Sequence, residues 1–321
     1  MSDEPFVSVI VPTYNRREML EECIDSLLDQ TYPADRYEVI AVNDGSTDET
    51  DSFLTEYSKE KPSLRFFLQS NLGAAAARNL GIEKALGDIV CFTDDDCIAD
   101  KDWIRSIVGS YADENVGGVG GRIISHNTIS LAGRYTEEGN FFDQENLAGI
   151  FIVGANSSYR KDILLDFGGY DVQFKYSEDV DAGIRARMMG YRLVYAPGAI
   201  VLHKHRLTLK GVMRQVYGYG KGYGRLHKKY PDYFNPGRRM LILLLRLARK
   251  IILTPFKVLS LFFVKDKHFK LLSFFLDMGL LASESAGVAV ETCFGRPYFG
   301  RIIRKKLDYI KDAKLPYGWG T

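Results

Sequence analysis

The run Ile89-Val90-Cys91-Phe92-Thr93-Asp94-Asp95-Asp96-Cys97 passes from apolar to triply acidic within a few residues. A short apolar run bounded by polar residues is the pattern of a buried strand. Its acids then stand at the carboxyl end, where open α/β sheets place their ligands. Adjacent carboxylates repel one another, and a divalent cation with a phosphate ligand relieves that repulsion, because hard cations favour carboxylate oxygens and a diphosphate needs its charge neutralised. The same run also reads as an acidic turn, with Asp94 or Asp96 capping the helix that follows. Its neighbours have to choose between the two.

Upstream, Phe6-Val7-Ser8-Val9-Ile10-Val11-Pro12 is apolar and β-branched, a buried strand ended by Pro12. The loop Thr13-Tyr14-Asn15-Arg16 follows, and Leu20, Cys23, Ile24, Leu27 and Leu28 then recur at helical spacing. Tyr37 to Val42 is a second strand, after which Ser46 or Thr47 can cap a helix whose positive end suits Asp48 and Glu49. Leu64 to Leu68 is a third, and Asn71 to Asn79 opens a helix of small residues that lets a backbone or a ligand come close. Strand and helix alternating up to the acidic run predict a mostly parallel sheet covered on both faces.

Downstream, the glycines around Val119 suggest a strand approached closely by something else, and residues 125–150 form a polar stretch with the character of a loop. Ile150 to Val153 is a further strand candidate leading into Gly154-Ala155-Asn156-Ser157-Ser158-Tyr159-Arg160. A second acidic focus, Glu178-Asp179-Val180-Asp181, opens a helix that stops at Gly190. Acids at a helix start are stabilised by its dipole, which by itself accounts for their presence. Residues 191–196 and 199–202 are strand-like and lead to His203-Lys204-His205-Arg206.

At 321 residues the chain exceeds one average domain, and 46% hydrophobic with 26% charged residues is the composition of a globular protein. A net charge of +1 conceals an asymmetry: residues 1–202 carry −16 and residues 203–321 carry +17. The division expected is a first domain over residues 1–210 and a basic, helical, membrane-associated region over 211–321. Residues 240–264 are apolar but interrupted by Arg246, Arg249, Lys250 and Lys257, and residues 271–290 by Asp277 and Glu284. Neither is an unbroken stretch of the ~20 residues a membrane span requires. The first reads as a helix lying in the membrane interface, or equally as one packed on the first domain. The cysteines at 23, 91, 97 and 293 lack metal-ligand spacing and read as reduced thiols of a cytosolic compartment. Met1 to Pro5 is short and polar, unlike a secretory leader.

Taken together these segments resemble the family-2 inverting glycosyltransferases, whose nucleotide-sugar-binding domain has the GT-A fold, a Rossmann-like mixed sheet. Val9 to Arg16 is similar to the family's opening strand, Val42 to Asp48 to its second motif, and Asn71, Gly73, Ala77, Arg78 and Asn79 to its third. Thr93-Asp94-Asp95-Asp96 resembles its metal-binding acid-any-acid (DXD) motif. Gly154 to Arg160 with Phe167-Gly168-Gly169-Tyr170-Asp171 resembles its acceptor side, and Glu178-Asp179 its catalytic pair. The resemblance spans residues 6–206.

It implies that Pro12, Tyr14, Asp44 and Arg78 line the nucleotide, with Asp44 accepting a hydrogen bond from the base. Asp94 and Asp95 join these contacts. Asp94, Asp96 and His203 would hold a Mg²⁺ or Mn²⁺ that bridges the diphosphate, with His205 competing for the role of His203. Asp179 would be the general base, because inverting transfer needs a carboxylate to deprotonate the acceptor hydroxyl opposite the leaving group. Glu178 and Asp181 beside it would raise its pKa by like-charge repulsion. The Gln-x-x-Arg-Trp motif of the processive members is absent, since Gln215 is followed by Val216-Tyr217-Gly218-Tyr219. Addition of a single sugar is therefore expected, from a nucleotide-diphosphate sugar donor to a glycan or lipid-linked acceptor. The place expected is the cytoplasmic face of the cell membrane, through peripheral contact. A sugar nucleotidyltransferase needs similar acids and metal, and a non-catalytic nucleotide-sugar-binding scaffold fits the charge pattern; the presence of all of Asp44, Asp94, Asp96 and Asp179 speaks for an enzyme. Nucleic acid suits the basic tyrosine-bearing half, but its apolar helices suit lipid better.

Overall fold

The computed structural model describes residues 4–126, 134, 144–204, 208–232, 234–260 and 267–298. His205 and most of the polar stretch over 125–150 lie outside them. The chain divides into two compact units, the first taking in residues 4–126 and 144–204, the second the helices beyond residue 208.

In the first unit the expected alternation is present. It runs β1 (Val7–Thr13), α1 (Arg17–Leu28), β2 (Tyr37–Asn43), α2 (Thr50–Glu60), β3 (Leu64–Leu68), α3 (Ala74–Lys84) and β4 (Ile89–Thr93). There follow β5 (Cys97–Ala99), α4 (Trp103–Gly109), β6 (Val116–His126), α5 (Gln144–Leu147), β7 (Asn156–Arg160), α6 (Lys161–Asp166), α7 (Glu178–Met188) and β8 (Arg192–Lys204). The strands form one sheet in the order β3-β2-β1-β4-β7-β6-β8-β5. Strands β1 to β4 pair in parallel, whereas β7 runs antiparallel to both β4 and β6, and β5 antiparallel to β8. The sheet is thus mixed beyond β4. Strand order reverses direction at β1, which places the carboxyl ends of β1 and β4 at the point where such sheets bind ligands.

β1 is buried along its whole length and divides its side chains between two cores. Val7, Val9 and Val11 pack with Leu20, Ile24 and Leu27 of α1, while Ile10 faces Ala77 and Ile82 of α3 on the other side. Burial on both faces is why these strands read as continuous apolar runs. The small residues of α3 serve the sheet: a Cβ on Gly81 would fall 2.5 Å from Ile10 Cγ2, so the helix lies unusually close.

Several details depart from expectation. Ile150 to Val153 is not a strand; it is an approach segment, and the strand is Asn156–Arg160, polar in sequence yet buried from Asn156 to Tyr159. Two of its polar side chains are compensated: Asn156 accepts from Trp103 Nε1 at 2.8 Å and donates to the carbonyls of Arg122 and Ala199, and Ser158 bonds Tyr111. Residues 192–196 and 199–202 belong to one strand, β8, interrupted by an irregularity opposite Gly121 and Arg122. α2 starts at Thr50 because Asp48 Oδ1 accepts from its N and Oγ1, whereas Ser46 and Thr47 bond Asn15.

The second unit contains α8 (Leu209–Lys229), α9 (Pro236–Ser260) and α10 (Lys267–Phe294). The tyrosine-glycine segment lies within α8. Its glycines permit backbone contact with α10: a Cβ on Gly220 would sit 2.2 Å from the Glu284 carbonyl oxygen, and one on Gly287 2.1 Å from that of Tyr217. α9 and α10 are joined by Arg239 with Glu284 and by Lys250 with Asp277 at 2.5 Å. Ser273–Phe294 is long and apolar enough to cross a membrane, and 33% of it is buried. Asp277 and Glu284, counted as interruptions, are each paired with a cation of α9.

Candidate active site

The site is assembled from loops at the carboxyl ends of the parallel strands. After β1 the chain turns through Asn15 in the left-handed region, φ 54°. The Asn15 N–H donates to Ser46 Oγ at 2.9 Å, and Asn15 Oδ1 accepts from Thr47 N at 2.7 Å. The loops after β1 and β2 are thereby locked together. Pro12 is buried within β1, and Tyr14 is 44% exposed at the loop surface.

Asp44 is buried, and both of its oxygens are engaged. Oδ1 accepts from Gln69 Nε2 at 2.7 Å and Leu72 N at 2.8 Å, and Oδ2 from Gly73 N at 2.8 Å. It therefore shapes the loop before α3. That loop needs Gly73, whose φ of 93° L side chains rarely adopt.

The acids after β4 divide among different partners. Asp94 Oδ1 accepts from Arg78 Nη2 at 2.8 Å. Asp95 accepts from Thr13 Oγ1 at 2.8 Å and Arg16 Nη1 at 2.7 Å, and the same Nη1 donates to Asp96 Oδ2 at 2.7 Å. Burial lifts the Asp95 carboxyl to about 6, with Arg16 opposing and Asp96 adding to the rise. Asp96 Oδ1 is buried and takes no hydrogen bond among the described residues. It lies 3.4 Å from His203 Nε2, because β5 and β8 pair with Cys97 directly opposite His203. Among the described residues, ligand atoms of Asp96, Cys97 and His203 all lie within 4.8 Å of one another. One buried, unsatisfied carboxylate oxygen beside an imidazole is a donor set that fits a divalent cation.

Arg78 connects the two acidic foci. It projects from the second turn of α3, is 3% exposed, and donates through Nη2 to Asp94 and through Nη1 to Glu178 Oε1 at 2.7 Å. Its guanidinium also lies 5.5 Å from the Tyr170 ring centroid. Burial works against its charge, but Asp94 and Glu178 outweigh that and hold its pKa above the ordinary value. Tyr170 is placed by Asn79, which accepts from its N–H and donates to its carbonyl, each at 2.7 Å.

Ser177, at φ 63°, turns the chain into α7. Asp179 Oδ2 accepts from Gly154 N at 3.0 Å, and Oδ1 from Val180 N at 2.8 Å. Burial raises the carboxyls of both Asp179 and Glu178, opposed at Asp179 by the Gly154 hydrogen bond and at Glu178 by Arg78. Asp181 is held apart in a buried pair with Arg185 at 2.8 Å.

The structure thus brings together Arg78, Asp94, Glu178 and Asp179 in one linked group, and Asp95, Asp96 and His203 in another beside it. Arg16, Cys97 and the Gly154 N–H belong to the site without having been singled out in the sequence. Arg16 carried a signal, being a cation directly after the loop of the first strand. Cys97 directly follows the acidic run, and Gly154 opens the segment that resembles the acceptor side.

The family model for glycosyl transferase family 2 matches residues 8–168, and that for glycosyl transferase family group 2 matches residues 89–282. Glycosyltransferase AglE of Haloferax volcanii is 32% identical over 222 residues, covering 68% of this chain and 73% of its own. A probable glycosyltransferase of Bacillus subtilis, YdaM, is 27% identical over 238 residues, 69% of this chain and 56% of its own. Among solved structures, mannosyltransferase PcManGT from Pyrobaculum calidifontis superposes with a TM-score of 0.59 at 22% identity, over 92% of this chain and 77% of its own. TarS of S. aureus gives 0.50 at 21%, over 68% and 65%. Both likenesses concern the fold. The matched motifs, the mixed sheet and the acids at its carboxyl edge agree, and the chain belongs to glycosyl transferase family 2, with a GT-A fold.

Proposed function

We propose that the protein is a metal-dependent, inverting glycosyltransferase that moves one sugar from a nucleotide-diphosphate sugar to a hydroxyl of a glycan or lipid-linked acceptor, at the cytoplasmic face of the cell membrane. The observation that supports this reading is the bridge made by Arg78 between Asp94, in the acidic run after β4, and Glu178, the neighbour of Asp179 at the start of α7.

Asp96 and His203, with Asp94 at the rim, are the residues to hold the cation, and a nitrogen in the set suits Mn²⁺ better than Mg²⁺, which keeps to oxygen. When bound, it supplies Lewis-acid stabilisation of the departing nucleoside diphosphate. Support for this comes from the fold relative PcManGT, solved with GDP-Man and Mn²⁺, and from TarS, solved with UDP-GlcNAc. Pro12, Tyr14 and the loop shaped by Asp44 border the nucleotide. Asp179 keeps a carboxylate oriented by the Gly154 and Val180 N–H groups and takes the acceptor proton as the acceptor oxygen forms its bond to the anomeric carbon. The bond from that carbon to the diphosphate oxygen breaks, and its electron pair leaves with the nucleoside diphosphate.

A panel of nucleotide sugars incubated with the protein and Mn²⁺ tests this. Release of nucleoside diphosphate is expected; release of pyrophosphate would make the protein a nucleotidyltransferase instead.

A further inference from the structure

The helix α9 carries an outward face that water does not explain. Leu241, Leu244, Leu245, Ile251, Ile252 and Phe256 are all exposed, Leu245 by 61%, Ile252 by 67% and Phe256 by 69%. At 3.6 residues per turn they fall on one side of the helix, with exposed Ala248 between them. The opposite side holds Leu243, fully buried, and Arg239, buried against Glu284. Lys250 is likewise turned inward, to Asp277. Charges paired inside and aliphatic side chains outside reverse the arrangement of a helix that faces water.

One flank of the apolar face is basic. Arg238 and Arg249 are exposed at one edge, Arg246 is exposed farther round, and α9 contains no carboxylate over its 25 residues. A helix with an apolar stripe bordered along one edge by arginines suits the boundary between acyl chains and anionic head groups, where the stripe enters the hydrocarbon and the guanidinium groups meet phosphate. A second protein surface would need to be both apolar and acidic along the same line.

We infer that the face of α9 formed by Leu241, Leu245, Ile252 and Phe256 docks on an anionic lipid bilayer, with Arg238 and Arg249 at the head groups. The inference rests on the membrane-face reading proposed above and supplies its contact element.

Full-length protein mixed with phosphatidylglycerol–phosphatidylcholine vesicles should sediment with them, and less so with vesicles of phosphatidylcholine alone or at high salt. Leu245→Asp with Ile252→Asp, both at exposed positions where folding does not depend on the side chain, should weaken binding by more than about tenfold. Arg238→Gln with Arg249→Gln should cost about fivefold per charge on the anionic vesicles and little on the neutral ones. Wild-type protein that stays in solution, or an aspartate pair that sediments like wild type, overturns the inference. So does a dimer that the aspartate pair dissolves while vesicle binding persists, since the face then belongs to a second copy. Nucleoside diphosphate release without vesicles, read on the same preparations, separates the two proposals. Aspartate variants that keep release but leave the vesicles support docking, whereas vesicle binding by a chain that releases nothing leaves docking standing and removes the transferase reading.

Discussion

Asp96 Oδ1 and His203 Nε2 lie 3.4 Å apart, two buried groups, one from the turn just before β5 and one from the neighbouring strand β8 at the edge of the sheet. An acceptor that is buried and without a hydrogen bond is costly unless a ligand arrives. Chelation should therefore abolish transfer and added Mn²⁺ restore it. His203→Ala should raise the Mn²⁺ concentration for half-activity by about 10-fold or more, and Asp96→Asn by more still. Unchanged metal dependence in both variants would move the cation elsewhere.

Asp179→Asn should lower turnover by about 10³-fold while donor affinity, read by calorimetry with the nucleoside diphosphate, stays the same. The base acts deprotonated, and its pKa is raised by burial, so activity should fall on acidification at a higher pH than an ordinary aspartate sets. Glu178→Gln removes a neighbouring negative charge and releases Arg78 to favour the Asp179 anion, so the acid limb should move to lower pH. An acid limb that moves upward would contradict this electrostatic account.

Arg78→Met leaves Glu178 and Asp94 without their shared cation. Removing one partner of a buried ionic group costs about 3–5 kcal/mol, here toward the lower end because the Asp94 side chain is 33% exposed. Urea unfolding measures it. Adding Glu178→Gln to Arg78→Met should recover part of the loss; additive losses would show that the two residues are not coupled.

Asp95 makes stability depend on pH. Its carboxyl is raised from 3.8 to about 6 in the folded protein, chiefly by burial, so the folded chain binds the proton more tightly than the unfolded chain. The sign follows: stability is greatest below the unfolded value and falls as pH rises from about 4 to about 6. Asp95→Asn keeps acceptors for Thr13 and Arg16 without the charge. Its melting temperature relative to wild type in metal-free buffer should climb across that window, and a constant difference would refute the assignment.

Gly287→Ala should destabilise the second unit by about 1–3 kcal/mol, because the added Cβ would meet the Tyr217 carbonyl oxygen at 2.1 Å and backbone cannot give way cheaply. Gly279→Ala, on the same helix, meets only Met213 Cε at 3.7 Å and should be neutral or slightly stabilising. Thermal unfolding of the two variants separates packing from helix propensity.

Much of the first unit was legible because its signals are local. β1, β2 and β4 are buried and mostly apolar since both sheet faces are covered, and the acids after β4 and at the start of α7 mark element ends that the nearest residues define. β7 was not legible in this way. Asn156 and Ser158 look like loop residues until Trp103, Arg122 and Ala199 are known to partner the first and Tyr111 the second, which makes their burial tolerable.

By itself, the sequence determined the alternating strands and helices, the two acidic foci and the charge step near residue 203. Each follows from residue type and spacing along a short stretch. Tertiary structure alone decided which acid meets which cation. Arg78 and Glu178 are 100 residues apart and Asp95 and Arg16 are 79, and contacts over such separations depend on strand order and on how closely α3 lies against the sheet. The register of β5 against β8, with Cys97 directly opposite His203, likewise brings Asp96, in the turn just before β5, within reach of His203.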